Sequence, residues 1–193
     1  MKAICVYCGS STGLLAKYAE GARQLAAQLV ANQLALVYGG GNVGLMGILA
    51  DEVLRLGGQV TGVIPQALLD KEVGHKGLSQ LHVVRNMHER KAMMAELSDG
   101  FIAMPGGIGT LEELFEVFTW SQLGFHEKPL GLLNVNGFYD GLMEFLQHTV
   151  AQGFLRPVHL EILFKESDPA ALLQKFRDYR PVHLKKWLEP QDL

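Results

Sequence analysis

With 193 residues the chain is long enough to bury a core and short enough for a single domain spanning residues 1–193. A formal net charge of -3 without any dense basic run argues against a nucleic-acid partner. No apolar stretch reaches the ~18 residues of a spanning helix, and Lys2 precedes a segment only as long as a strand; neither a membrane partner nor a signal peptide is expected, and the predicted compartment is the cytoplasm.

The first predicted strand is residues 3–7. It carries Cys5 and Cys8 of a C-x-x-C, but residues three apart on a strand face opposite sides, so free thiols are expected. No second cysteine pair exists and the seven histidines show no H-E-x-x-H spacing, so no metal site is predicted. Tyr18, Ala22, Leu25 and Leu29 then keep one helical face.

A second strand, residues 34–38, runs into Gly39-Gly40-Gly41-Asn42-Val43-Gly44. Gly39, Gly41 and Gly44 satisfy G-x-G-x-x-G, but no acidic residue stands around positions 60–64 to hold a ribose, and the cluster follows the second strand; an NAD site is disfavoured. Two readings stay open: a backbone wall for a nucleotide, or a tight strand-to-helix turn. Leu45, Ile48, Leu49, Val53 and Leu56 form the next helical face, residues 59–64 the third strand, and residues 71–77 a polar surface loop.

After a strand at 81–84, Asn86 and Glu89 have the spacing of an N-cap pair. Arg90 and Lys91 then place two cations in the first turns of a helix, where the macrodipole disfavours them, so something anionic should compensate.

The strand at 100–104 leads into Pro105-Gly106-Gly107-Ile108-Gly109-Thr110-Leu111-Glu112-Glu113 and a helix with Leu111, Leu114, Phe115 and Phe118 on one side. Backbone N–H groups of such a loop, at the positive end of a helix dipole, suit a phosphate. The Lys-Ser/Thr pair of a P-loop is missing, which disfavours a nucleoside triphosphatase. Two glutamates beside an anion site suggest chemistry, although Thr110-x-x-Glu113 is also a capping-box pattern and Glu112 suits a helix first turn. A strand at 130–135 and a helix capped by Asp168 follow, and the tail from Arg180 carries Trp187. Met93, Met94, Phe115, Phe118 and Trp120 suit the core or a subunit face.

The alternation of strands and helices predicts a Rossmann-like, doubly wound parallel sheet with helices on both faces. Its glycine turns would gather at the carboxyl edge of the strands, where open α/β sheets bind ligands.

Met87-His88-Glu89-Arg90-Lys91 and P-G-G-x-G-T-x-x-E together, with Cys8-Gly9-Ser10-Ser11, Val37-Tyr38-Gly39-Gly40-Gly41, Gly62-Val63-Ile64-Pro65 and Trp120-Ser121-Gln122-Leu123-Gly124, resemble the LONELY GUY (LOG) family of cytokinin riboside 5′-monophosphate phosphoribohydrolases, whose bacterial members have often been labelled possible lysine decarboxylases. The resemblance implies Arg90 and Glu113 as the catalytic pair, with Lys91, Gly107, Ile108, Gly109 and Thr110 on the nucleotide and Glu72 and Thr119 completing the site. Ser10, Gly39, Gly40, Gly41, Gly106 and Glu112 join the expected substrate contacts. It implies a homodimer acting, without a cofactor, on purine nucleoside 5′-monophosphates to give the free base and ribose 5-phosphate. A nucleotide-binding protein without turnover is the alternative. Decarboxylation normally needs pyridoxal phosphate on a lysine, and neither Lys91 nor Lys128 has a recognisable cofactor context.

Overall fold

Seven strands alternate with eight α-helices in the computed structural model, which describes residues 1–70 and 74–181. In chain order they are β1 (Ala3–Tyr7), α1 (Ala16–Ala31), β2 (Ala35–Tyr38), α2 (Gly44–Arg55), β3 (Val60–Pro65), α3 (Gln66–Leu69), β4 (Gln80–Val84), α4 (Met87–Glu96), β5 (Phe101–Ala103), α5 (Ile108–Leu123), β6 (Leu130–Leu133), α6 (Asp140–Ala151), α7 (Pro157–Leu160), β7 (Leu163–Glu166) and α8 (Pro169–Asp178). Glu72 and Trp187, both singled out in the sequence, lie outside the described residues.

All strands pair in parallel in one sheet of order β4-β3-β2-β1-β5-β6-β7. The expected doubly wound, Rossmann-like fold is present. From β1 the chain builds outward through β2, β3 and β4, then returns to pair β5 on the other side of β1, so the winding reverses between β1 and β5. The crevice above the carboxyl ends of these two strands is where such a sheet binds ligands.

Side chains alternate across the sheet, as strand geometry requires. On β1, Ile4 and Val6 join a core with α1, α2 and α8, while Cys5 and Tyr7 join a second core with α4, α5 and α6. Cys8 falls in the first core and Cys5 in the second, so the two thiols are buried on opposite faces of the sheet and both are free. Burial pushes the Cys5 thiol up to about 12, which keeps it protonated and inert. Met94 and Phe118 are buried in the second core, with Met93, Phe115 and Trp120 packed against it.

The capping signals divide. Asn86 Oδ1 accepts from Glu89 N at 2.9 Å and Asp168 accepts from the N–H groups of Ala170 and Ala171, so both caps form. The Thr110–Glu113 box does not. Helix α5 starts at Ile108 with Gly107 as its N-cap and no side-chain cap bond, which leaves Thr110 already inside the helix. Strand β7 is absent from the predicted elements: Leu163-Phe164-Lys165-Glu166 is an edge strand with only its first residue buried, too polar and short to stand out in sequence.

Candidate active site

Three local features converge at the carboxyl edge. On the first, α4, the Asn86 cap fixes the helix start and thereby the direction in which Arg90 leaves the first turns. The Arg90 side chain turns inward, so the residue is only 9% exposed. Its Nε donates to the Val63 carbonyl at the end of β3 at 3.2 Å, and Nη1 lies 3.2 Å from Glu113 Oε1.

The second feature, the glycine turn after β2, makes room for that guanidinium. A Cβ on Gly39 would stand 1.8 Å from Arg90 Nη2, so no larger residue fits there while Arg90 keeps its place. Gly44 (φ +59°) starts α2 in the left-handed region, and a Cβ there would strike the backbone of Ser10 and Ser11 at 2.3–2.5 Å. The glycines thus serve close packing at the site, one against a side chain and one against the loop after β1.

The third feature is the loop into α5. Tyr139 donates its hydroxyl to the Met104 carbonyl at 2.5 Å, which holds the end of the segment leaving β5. Gly106 lies against both Thr110 and Gly9: a Cβ on it would come within 2.1 Å of Thr110 Oγ1 and 2.8 Å of the Gly9 nitrogen. Thr110 is buried, whereas Gly107, Ile108 and Gly109 are exposed. As first-turn residues of α5, Ile108, Gly109 and Thr110 have N–H groups with no intrahelical acceptor, which suits an anion. Beside them, between the loops after β1 and β5, opens a cavity of about 260 Å³ lined by Ser10, Gly13, Tyr18, Leu45, Gly106 and Phe138.

Glu113 stands one turn into α5, and its side chain is 12% exposed. Burial pushes its carboxyl above the ordinary glutamate range; Arg90 pulls it back, Glu112 pushes it further, and Lys91 pulls. Freed from capping, this carboxylate stands beside a cation. The pair is nearly dry, so its field is little screened.

Lys91 is placed differently from Arg90. Its Nζ lies 2.6 Å from Glu112 Oε1 and 3.0 Å from Glu116 Oε1, so its charge is taken up by two carboxylates of α5. Burial lowers the Lys91 pKa, but the two carboxylates outweigh that and hold it above the usual lysine range. The anionic compensation expected for two cations at a helix start therefore comes from α5, Glu113 for Arg90 and Glu112 with Glu116 for Lys91. Thr119 lies six residues beyond Glu113, roughly 9 Å along the helix axis. It is exposed and donates to the Phe115 carbonyl at 2.7 Å, away from the Arg90–Glu113 pair.

Three participants had no signal in the sequence. The Val63 carbonyl is a backbone group that any residue would supply. Tyr18 and Phe138, edge-to-face at 5.8 Å, meet only because the sheet brings α1 and the turn after β6 together. Among the described residues, no group of three or more His, Cys, Asp or Glu side chains could hold a metal ion.

The family model described as "possible lysine decarboxylase" matches residues 46–176. Two relatives from Arabidopsis thaliana are named cytokinin riboside 5′-monophosphate phosphoribohydrolases. LOG5 is 48% identical over 182 residues, covering 94% of this chain and 80% of its own length. LOG1 is 47% identical over 184 residues, covering 95% and 86%. Among solved structures, the molybdenum cofactor carrier protein of Chlamydomonas reinhardtii superposes with a TM-score of 0.70 at 19% identity, covering 92% of this chain and 99% of that one. The molybdenum cofactor binding protein of Rippkaea orientalis gives 0.68 at 19%, covering 92% and 97%. Both are likenesses of fold alone. On the family match and on near-half identity along almost its whole length, the chain belongs to the LONELY GUY (LOG) family, that of the cytokinin riboside 5′-monophosphate phosphoribohydrolases.

Proposed function

We propose that the protein hydrolyses the N-glycosidic bond of purine nucleoside 5′-monophosphates carrying adenine or an N6-substituted adenine, releasing the free base and ribose 5-phosphate. The observation that carries this reading is the buried Arg90–Glu113 pair set beside the open N–H groups of the α5 start. The phosphate would sit on residues 107–110, with Ser10 and Gly106 at its side. In this arrangement the anomeric carbon would lie toward Glu113.

As the bond from C1′ to the base nitrogen breaks, its electron pair goes to the base and positive charge builds on the ribose. The Glu113 carboxylate offsets that charge and takes a proton from the attacking water, whose oxygen bonds to C1′. The base leaves with the electron pair and takes up a proton from solvent, and Glu113 gives the proton it took from water back to solvent, so that water is divided between ribose and base. Arg90 holds the carboxylate, and in this reading it would also offset negative charge on the departing ring. One domain, acting as a homodimer in the cytoplasm with neither nucleic acid nor membrane as partner, completes the proposal.

Incubation with AMP and measurement of adenine, ribose 5-phosphate and inorganic phosphate tests it. Adenine and ribose 5-phosphate should appear in equal amounts. Phosphate released ahead of adenine, or AMP bound and returned intact, would overturn it.

The pH profile offers a second check. A carboxylate base is lost as pH falls through its pKa, and burial holds that of Glu113 high. The acid limb of kcat/KM should therefore lie above the ordinary glutamate range of roughly 4.3. Because Arg90 is the group that pulls the Glu113 pKa down most, Arg90→Gln should move the limb further up. Ionisation of the substrate phosphate is common to both proteins and cancels from the difference. A limb that stays put or moves down would contradict the assignment.

A further inference from the structure

We infer that His75, steadied by Asp51, is a positioning residue for Arg90, acting through the glycine turn after β2; the inference rests on reading Arg90 as part of the nucleotide site. His75 is buried, with both ring nitrogens engaged. The Gly77 N–H donates to Nδ1 at 3.0 Å, so Nδ1 is the acceptor and Nε2 carries the proton. That Nε2–H donates to Asp51 Oδ1 on α2 at 2.9 Å.

The backbone of the same segment grips the glycine turn. His75 N donates to the Gly40 carbonyl at 2.9 Å, and Gly41 and Gly74 form an antiparallel bridge, the one isolated bridge among the described residues. The turn is wedged on its other side. Gly40 (φ +72°) lies close against β3, such that a Cβ on Gly62 would fall 2.9 Å from the Gly40 Cα. Gly39, next in the turn, is the residue whose Cα faces Arg90 Nη2 with no space for a Cβ.

A chain of direct contacts therefore runs from Asp51 to His75, to Gly40, to the Gly39 wall, and to the guanidinium that meets Glu113. Without it, the groups among the described residues that would hold the Arg90 side chain are the Val63 carbonyl, the Met87 sulfur and Glu113. Displacement of a catalytic group by an ångström costs rate far more than binding, so the contribution should fall on kcat. The direct contacts from His75 end at the guanidinium, and the loop at 106–110 is reached from this turn only indirectly, through the Gly9–Ser11 segment, so the affinity for the phosphate should change far less than kcat.

Asp51 is 67% exposed at its side chain, so Asp51→Ala does not threaten folding. The test compares the full-length wild type with Asp51→Ala, His75→Ala and His75→Gln, whose amide can still donate to Asp51. Steady-state rates on AMP and the ¹⁵N–¹H signal of the Arg90 Nε–H, identified by its loss in Arg90→Lys, are the readouts. We expect Asp51→Ala and His75→Ala to lower kcat about tenfold with KM within about twofold, and His75→Gln to recover most of the loss. The Nε–H signal should shift or broaden in the two alanine variants and return in His75→Gln. Its position reads the guanidinium without turnover, so it decides the matter even if AMP proves not to be a substrate. An unchanged Nε–H signal in Asp51→Ala and His75→Ala, whether or not the melting temperature falls, would overturn the inference, as would a loss confined to KM.

Discussion

Glu113→Gln should lower turnover on AMP by at least about a hundredfold, the lower end of what a positioned acid–base group contributes. Glutamine keeps the size of the side chain and a carbonyl oxygen that can accept from Arg90 Nη1, now at 3.2 Å from Glu113 Oε1. It cannot take a proton from water, nor offset a developing positive charge. The substitution therefore removes the chemistry while keeping the shape. Helix α5 loses no cap, because its N-cap is Gly107 and Glu113 makes no bond to the helix start. A cooperative melting transition should persist, and AMP should still bind, since residues 107–110 are untouched. The check is single-turnover and steady-state hydrolysis beside a melting curve and an AMP titration. Near-native turnover in the glutamine variant would remove Glu113 from the mechanism. Loss of AMP binding together with turnover would instead place the carboxylate in substrate binding.

AMP should be hydrolysed with a kcat/KM at least about a hundredfold above that for adenosine, which corresponds to roughly 3 kcal/mol of transition-state stabilisation supplied by the phosphate. The 5′-phosphate takes no part in breaking the bond at C1′. Its value lies in holding the ribose so that C1′ meets Glu113 and not solvent. The α5 start suits such anchoring, because three N–H groups without intrahelical acceptors point out of a helix of 16 residues. Gly107 and Gly109 leave the approach open, with nothing near the point where a Cβ would stand. Lys91 should add little in this position, because Glu112 and Glu116 already take up its charge. Comparable kcat/KM for AMP and adenosine would make the glycine loop a structural turn.

The glycine loop before α5, the Asn86 cap and the fold class were all legible in the sequence, each for a local reason. A strand must alternate or run apolar, a helix start needs a side-chain acceptor, and a backbone that approaches another group needs glycine. Where those local signals had two meanings, sequence left both standing. Thr110-x-x-Glu113 reads as a cap and as a catalytic carboxylate; the helix begins three residues earlier than the cap requires, where Gly106 packs closely on Gly9 and Thr110. The glycines at 39–41 read as a nucleotide wall and as a packing turn, and in the fold Gly39 packs on Arg90. Strand β7 left no signal because Leu163-Phe164-Lys165-Glu166 is four residues long and half of them are charged, whereas the other edge strand, β4, keeps a longer apolar run.

The sequence by itself determined which groups the protein possesses: a loop suited to an anion, a cation and a carboxylate in the first turns of two helices, and a chain that winds into a parallel sheet. Only the tertiary structure decided which of them meet. Arg90 and Lys91 are neighbours on one helix, about 100° apart around its axis, and nothing in their order along the chain says which one faces the cleft. The sheet order sets α4 against α5 so that Arg90 turns inward to Glu113, Val63 and Gly39, while Lys91 turns to Glu112 and Glu116. Pairing of that kind depends on distances between segments more than twenty residues apart, which local patterns of hydrophobicity and capping do not encode.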